Sequence, residues 1–351
     1  MADSRQVRIT TSDPRLPIDS WTPYGFTVTL CRMRYLITGG SGFIGSHVTD
    51  ALLARGDLVT VLDDFSTGRR AYLPTHPHLT VIEGSVCDEA TVEDSLKAVD
   101  HVVHLAAAVG VRKIMEERIS GIRTNLQGSE NVLVAAAARR LPIFFSSTSE
   151  VYGKNATTPF REDDDSVFGA SSLHRWSYAC SKLMDEFLAL AYFHERQLPV
   201  TIGRFFNVTG PRQCPDYGMV LPRFCAAALR GKDLEVHGSG QQSRCFLHVH
   251  DCVRAVIALL DAPATIGQVI NIGSNEETTI HALAERVLAA SGSSSRIHPV
   301  PYATAFPGGG FEDMLRRVPD TGKLTRLTGW KRQHDLAQTV NDALSWAGSA
   351  G

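Results

Sequence analysis

The chain has 351 residues, 43% of them hydrophobic and 21% charged, with a formal net charge of −2. That balance is ordinary for a globular enzyme and excludes bulk electrostatic attraction to nucleic acid or to an anionic membrane surface. No apolar run approaches the roughly 20 residues needed to cross a bilayer, so no membrane partner is expected.

Residues 1–32 are rich in Thr, Asp, Pro and Ser and lack a basic start followed by an apolar stretch, which argues against a secretory signal. They read as a flexible extension ahead of Met33, with Phe26–Leu30 as an alternative edge strand. From Met33 onward, β-rich apolar runs alternate with helical stretches. Strands are predicted at Arg34–Thr38, Val59–Leu62, Leu79–Glu83, His101–Leu105, Ile143–Ser146 and Val200–Arg204. Helices are predicted at Ser46–Arg55, Ala90–Ala98, Asn125–Arg139 and Tyr178–Glu195. This alternation predicts an α/β fold, a Rossmann-type doubly wound parallel sheet with right-handed crossovers. The strands are apolar throughout, as expected when helices cover both faces.

After Phe206 the pattern loosens, with Pro211, Pro215, Gly218, Pro222 and Gly231 as punctuation. A smaller C-terminal substrate-binding lobe is expected there. The boundaries read as 33–206 for the dinucleotide-binding domain, with 244–272 returning to it, and 207–243 plus 273–348 for the lobe. The seven cysteines are odd in number and show no Cys-x-x-Cys or zinc spacing. They read as free thiols in a reducing cytoplasm, and no metal is expected.

Gly39, Gly42 and Gly45 form Gly-x-x-Gly-x-x-Gly between a predicted strand and helix, with Phe43 and Ile44 inside the motif. Glycines there permit a tight turn and let backbone N–H groups approach a pyrophosphate. Glycine-rich loops are common, and the strand–loop–helix context is what gives this one meaning. Asp63 ends the next strand, where a carboxylate accepts from ribose hydroxyls and repels a 2′-phosphate. NAD is therefore favoured over NADP, although Arg69 and Arg70 keep NADP open. The alternative reading of Asp63 is a turn residue.

Tyr178 and Lys182 lie four apart on one helical face. A phenol has a reference pKa of about 10, so it needs a neighbouring positive charge to act as a base at neutral pH. Such i, i+4 pairs also arise by chance. Thr148, Ser149 and Glu150 end a strand at the edge where open α/β sheets bind ligands.

These residues resemble the extended short-chain dehydrogenases that act on nucleotide sugars, the NAD-dependent epimerase/dehydratase family, over roughly Met33 to Trp346. The resemblance rests on Thr38–Gly45, Asp63, His104–Ala107, Asn125, Thr148–Gly153, Tyr178/Lys182, Arg204–Asn207, Gly210–Arg212, Arg244–Phe246 and Asn271–Gly273. It implies that Ser85, Val86, Leu105, Ala106, Ala107 and Asn125 join the cofactor site. It further implies that Tyr178 takes the proton from the sugar O4 while hydride leaves C4, that Lys182 holds the nicotinamide ribose and lowers the tyrosine pKa, and that Thr148 hydrogen-bonds O4. Asn207, Arg244 and Arg317 are implied contacts of the UDP diphosphate or sugar. Arg112 lies in the loop that faces the sugar, and Arg212 is a candidate for a substrate carboxylate or for diphosphate.

Within the family, Thr148-Ser149-Glu150 and the Arg244-Cys245-Phe246 run look like the UDP-glucuronate decarboxylases, in which the Glu and the Arg serve sugar positioning and proton delivery. The dehydratases usually carry Asp-Glu after the threonine. Conversion of UDP-glucuronate to UDP-xylose ranks first, a 4-epimerase on a UDP-uronate or UDP-hexose second, and a 4,6-dehydratase third. A non-catalytic dinucleotide sensor is the reading from another class, opposed by the complete Tyr, Lys and Thr set. The resemblance also implies a homodimer through a four-helix bundle built from the two long helices.

Overall fold

The computed structural model describes residues 32–110, 118–306, 309 and 312–349. The expected extension at 1–32 and Arg112 lie outside these residues, Arg32 apart.

Six strands come first: β1 (Arg34–Thr38), β2 (Leu58–Asp63), β3 (Leu79–Glu83), β4 (His101–His104), β5 (Ile143–Thr148) and β6 (Val200–Phe205). With Gln268–Ile272 they form one seven-stranded sheet in the order Gln268–Ile272, β6, β5, β4, β1, β2, β3. Every pairing in it is parallel. The order runs outward from β1 in both directions, as the doubly wound fold requires, and leaves a crevice at the strands' carboxyl ends.

The sheet is held because both of its faces are apolar. Ile37, Val61, Val103 and Phe144 point into one layer with Val48, Leu52 and Val256 from the covering helices. Leu36, Leu62, Val102 and Phe145 point into the other with Val132, Leu133 and Ala189. Successive strand residues thus bury on opposite faces, the period of 2 expected of a pleated strand. A third apolar cluster lies outside the sheet, where Leu221, Phe224, Leu283, Val287 and Val340 pack together. Leu324 and Trp330 belong to a sheet layer instead, so this part of 273–348 packs with the dinucleotide-binding half.

Two boundaries differ from expectation in ways that matter for the site. β5 runs two residues further, to Thr148, because Ser146, Ser147 and Thr148 pair with Gly203, Arg204 and Phe205. Its hydroxyls tolerate burial because they find partners, as Ser147 does on Glu186. The long helix predicted from Asn125 begins at Arg118. Its first turns are polar or exposed, so they carry little of the apolar periodicity that marks a helix.

Candidate active site

The cofactor loop joins β1 to helix α1 (Phe43–Ala54). Gly39 has φ +70, and a Cβ there would lie 2.8 Å from the Ala106 nitrogen. A Cβ on Gly45 would lie 2.1 Å from the Gly39 carbonyl oxygen. No side chain caps α1, so its first N–H groups stay open at the positive end of the helix. The Asp63 carboxylate accepts from the Ser41 and Phe65 backbone N–H groups, each at 2.9 Å, and fixes the loop against the end of β2. Ser41 Oγ is buried with no partner. These features fit a dinucleotide: an anion-binding helix start, a backbone cradle that side chains would fill, an orphaned hydroxyl and an acidic strand end.

A cavity of about 430 Å³ opens from this loop. Gly39, Gly42, Phe43, Ile44, Gly45, Asp63, Val86, Leu105, Ala106, Ala107, Thr148, Ser149, Tyr178 and Lys182 line it. Two expected cofactor residues serve differently. Ser85 Oγ accepts from the Cys87 N–H in a local turn. Asn125 accepts from the Ala108 N–H at 2.8 Å and donates to Ser181 Oγ, so it holds the loop behind the cavity.

A second cavity, about 790 Å³, lies toward the smaller lobe and takes in Arg244, Tyr302, Asp313 and Phe246. Glu150, Arg175, Asn207 and Arg317 line both cavities and form their junction. Glu150 pairs with Arg175 on one oxygen and with Arg317 at 2.5 Å on the other. Arg317 also donates to Asn207 Oδ1 at 2.5 Å. Burial pushes the Glu150 carboxyl up, but the two guanidinium ions overrule it and hold it down to about 2. Glu150 is therefore a fixed anion at neutral pH. Of the two roles expected of it, this arrangement suits sugar positioning, since both carboxylate oxygens are engaged by guanidinium ions.

Arg244 donates to the Ser243 and Met314 carbonyls at 2.7 and 2.8 Å and to Asp313 Oδ1 at 2.5 Å. Arg212 pairs with Asp50 of α1 at 2.7 Å and lines the cofactor-side cavity. That position suits a phosphate, one of the two roles left open for Arg212.

Tyr178 sits on the Ser177–Arg196 helix beside Thr148, which hydrogen-bonds it. Its phenol lies above the ordinary value, through burial first and then the charge of Glu150, against the Thr148 hydrogen bond and Arg175. Lys182 is buried and paired to Asp185 at 2.9 Å, with its nitrogen 4.8 Å over the Phe145 ring. Asp185 thus anchors the Lys182 ammonium on the wall of the cofactor-side cavity.

Sequence reasoning missed Arg175 and Asp313. Arg175 stands three residues before Tyr178, in a turn with no periodicity to mark it. The available signal was Glu150, since a buried carboxylate needs a cation. The histidine group His248, His250 and His334 was also unforeseen, with ligand atoms within 4.8 Å of one another. His248 Nδ1 accepts from the His250 N–H, which puts the ring proton on Nε2, 3.2 Å from Asp342. His334 Nδ1 faces Asp251 at 3.2 Å. These contacts make a polar seam.

A phosphate cradle and a phenol–threonine pair that share one cavity serve an enzyme that borrows a dinucleotide to work on a hydroxyl, which is the short-chain dehydrogenase class. The profile of the NAD dependent epimerase/dehydratase family matches residues 35–273, and the chain belongs to that family. Its cofactor is NAD. Among its relatives is the UDP-N-acetyl-alpha-D-glucosaminuronate decarboxylase of Bacillus cytotoxicus, 43% identical over 90% of this chain and 98% of that protein. The UDP-glucuronic acid decarboxylase 1 of Danio rerio is 32% identical over 93% of this chain and 75% of that one. The UDP-glucose 4-epimerase of Thermus thermophilus, solved with NAD, superposes with a TM-score of 0.80 at 26% identity, covering 91% of this chain and 100% of that one.

Proposed function

We propose that this chain is an NAD-dependent UDP-uronate decarboxylase that converts UDP-glucuronate to UDP-xylose and carbon dioxide. The observation that carries the reading is Glu150, held ionised between Arg175 and Arg317 beside Tyr178. Both curated relatives above are named as UDP-uronate decarboxylases, and they support it.

When bound, NAD would supply the acceptor for the C4 hydride and the donor that returns it. Tyr178 takes the O4 proton and Thr148 orients O4. Lys182, anchored by Asp185, holds the cofactor's ribose side of the cavity. Once C4 is a ketone, the C6 carboxylate is that of a β-keto acid, and carbon dioxide leaves with its bonding electrons taken up by the ketone. The hydrogen bonds of Tyr178 and Thr148 to O4 then stabilise the enolate that forms, C5 takes a proton from solvent water reaching the sugar-side cavity, and Tyr178 gives its proton back to O4 as the hydride returns to C4. Asn207, Arg244 and Arg317 bind diphosphate and sugar, and guanidinium suits both.

Incubation with UDP-glucuronate, with product mass read by spectrometry, tests the reading. The expected product is lighter by carbon dioxide. An unchanged mass with altered sugar configuration would establish a 4-epimerase instead. The relative from Bacillus cytotoxicus is named for the 2-acetamido uronate, and that substrate belongs in the same assay. Tyr178→Phe is expected to lower turnover by about 10³-fold, within the range for a lost general base.

The protein is further proposed to be a cytoplasmic homodimer. The Arg118–Arg139 and Ser177–Arg196 helices leave Ile119, Ile122, Met184 and Phe187 exposed, a face suited to the same pair on a second copy. No described helix is long and apolar enough to cross a membrane. A monomer by light scattering at micromolar concentration would remove the dimer.

A further inference from the structure

We propose that Asp185 is a positioning residue for the reaction, the counter-ion that keeps Lys182 charged at the wall of the cofactor-side cavity and so sets the pH range of turnover. This rests on the roles given above to Tyr178 and Lys182, and not on which sugar is converted.

Tyr178, Lys182 and Asp185 lie four and three residues apart on the Ser177–Arg196 helix, so they share one face. Lys182 is 1% exposed and Asp185 0%. Among the described residues the Lys182 ammonium makes one hydrogen bond, to Asp185 Oδ2 at 2.9 Å, and it also meets the Phe145 ring. An ammonium carries three donors, so two remain for the cavity that Lys182 lines. At such depth an ammonium without a counter-ion gives up its proton at or below neutral pH. A neutral amine neither attracts a phenolate nor donates as strongly to a ribose hydroxyl.

The other charged groups around the pair are committed. Glu186, the next residue of the helix, accepts from Arg204 at 2.9 and 2.7 Å and from Ser147. Glu150 is held by Arg175 and Arg317. His104 of β4 sits between Thr38 Oγ1 at 2.8 Å and Ser129 Oγ at 3.4 Å. Burial first, and then the Lys182 charge, hold it down to about 3, so it is neutral and supplies no anion. The Arg118–Arg139 helix presents the Ser129 hydroxyl to Asp185, and β5 presents Thr148 to Tyr178.

The surroundings of Asp185 point the same way. Its Oδ1 is buried with no partner. A carboxylate left half-satisfied at zero exposure costs stability, and such a group in a native fold calls for a role beyond packing. Burial lifts the Asp185 carboxyl, while the charge and hydrogen bond of Lys182 pull it back, so the two ions sustain each other. The Tyr178 phenol, lifted first by burial and then by Glu150, is lifted further by the Asp185 charge. Asp185 therefore preserves the cation beside the phenol and moderates its pull.

Asp185→Asn keeps the shape and removes the charge. Turnover of UDP-glucuronate by the full-length NAD-loaded variant should follow a profile moved to lower pH. The limb that reports Tyr178 moves down because the Asp185 charge is gone. A descending limb at or below about pH 7 marks loss of the Lys182 proton, and beyond it the rate falls about tenfold per pH unit. Urea unfolding gives a readout free of turnover. In Asp185→Asn the unfolded chain binds a lysine proton that the folded chain has lost. Its stability deficit against wild type should then shrink as pH rises from about 7 toward 10. Lys182→Met combined with Asp185→Asn has no such proton, so it should lack that slope and be more stable than Asp185→Asn alone. Loss of rate by one factor at every pH, with a constant stability deficit, would make Asp185 a packing residue and overturns the proposal. A double variant no more stable than Asp185→Asn also overturns it, and that comparison decides if Asp185→Asn alone fails to fold. Carbon dioxide release is scored separately on wild type. Its absence removes the decarboxylase, while the urea comparison, which needs no sugar, still decides the counter-ion.

Discussion

The cofactor side and the sugar side of the site are built from different material. The cofactor side is mainly backbone: a glycine turn, an uncapped helix start, and a carboxylate spent on two backbone N–H groups. The sugar side is a web of side-chain ion pairs, Glu150 with Arg175 and Arg317, and Arg244 with Asp313. A backbone cradle binds a group shared by every dinucleotide and offers few positions to vary. Ion pairs between side chains can be re-cut one residue at a time. The constant half of the chemistry therefore sits on the first and the variable half on the second.

The strongest test of this contrast attacks the cradle. Gly45→Ala places a Cβ 2.1 Å from the Gly39 carbonyl oxygen, a contact that only backbone movement can relieve. A cost of about 3 kcal/mol, the upper end for overpacking, corresponds to about 100-fold weaker NAD binding. Purified variant should carry far less NAD by absorbance after denaturation and should lose turnover in proportion. UDP binding, measured by calorimetry, should stay near the wild-type value. Equal loss of both would show that the halves are not separable.

Glu150→Gln probes the other half with a smaller effect. It removes the anion that holds Arg175 and Arg317, and a hydrogen bond to a charged group is worth about 1.5–3 kcal/mol, or roughly 10- to 100-fold in turnover. The pH profile should move as well. Glu150 holds the Tyr178 proton by its negative charge, so its loss lowers the phenol pKa. The limb of the rate profile that reports Tyr178 should shift to lower pH, with NAD content unchanged. A shift to higher pH would mean that the arginines, once released, no longer act on the phenol.

The same contrast explains what was legible in the sequence. Gly39–Gly45 and Tyr178/Lys182 are short-range patterns, and the backbone turns them into structure without help from distant residues. The alternating apolar strands disclosed the sheet for the same reason. Arg175 and Asp313 were illegible because their role lies in partners far along the chain, 69 residues apart for Arg244 and Asp313. Arg212 was read with two roles open because its type fits carboxylate and phosphate alike, and its position is fixed by Asp50, a distant partner on α1.

The histidine seam, where α1 packs on the Val249–Leu260 helix, should give the smallest effect. His47 on α1 reaches the Pro211 carbonyl at 3.0 Å and stands edge-on to His250, which adjoins His248 and His334. Burial, opposed by the Pro211 hydrogen bond, leaves His47 lowered to about 4, and burial with two neighbouring imidazoles lowers His248. In the unfolded chain these rings take up protons near pH 6.5, which the folded chain refuses. Stability must then fall as pH drops from about 6.5 toward 4, because the unfolded state binds more protons there. Glu150 acts in a lower window: its depressed pKa adds stability above about 4.5 that is lost as pH falls toward 2. Melting temperature should therefore drop by several degrees between pH 7.5 and 5.0, before the ion web is touched. His47→Gln keeps a donor for the Pro211 carbonyl and carries no titratable ring, so it should flatten part of that slope. A melting temperature constant from pH 7.5 to 5.0 in wild type would show that the seam opens to water without cost.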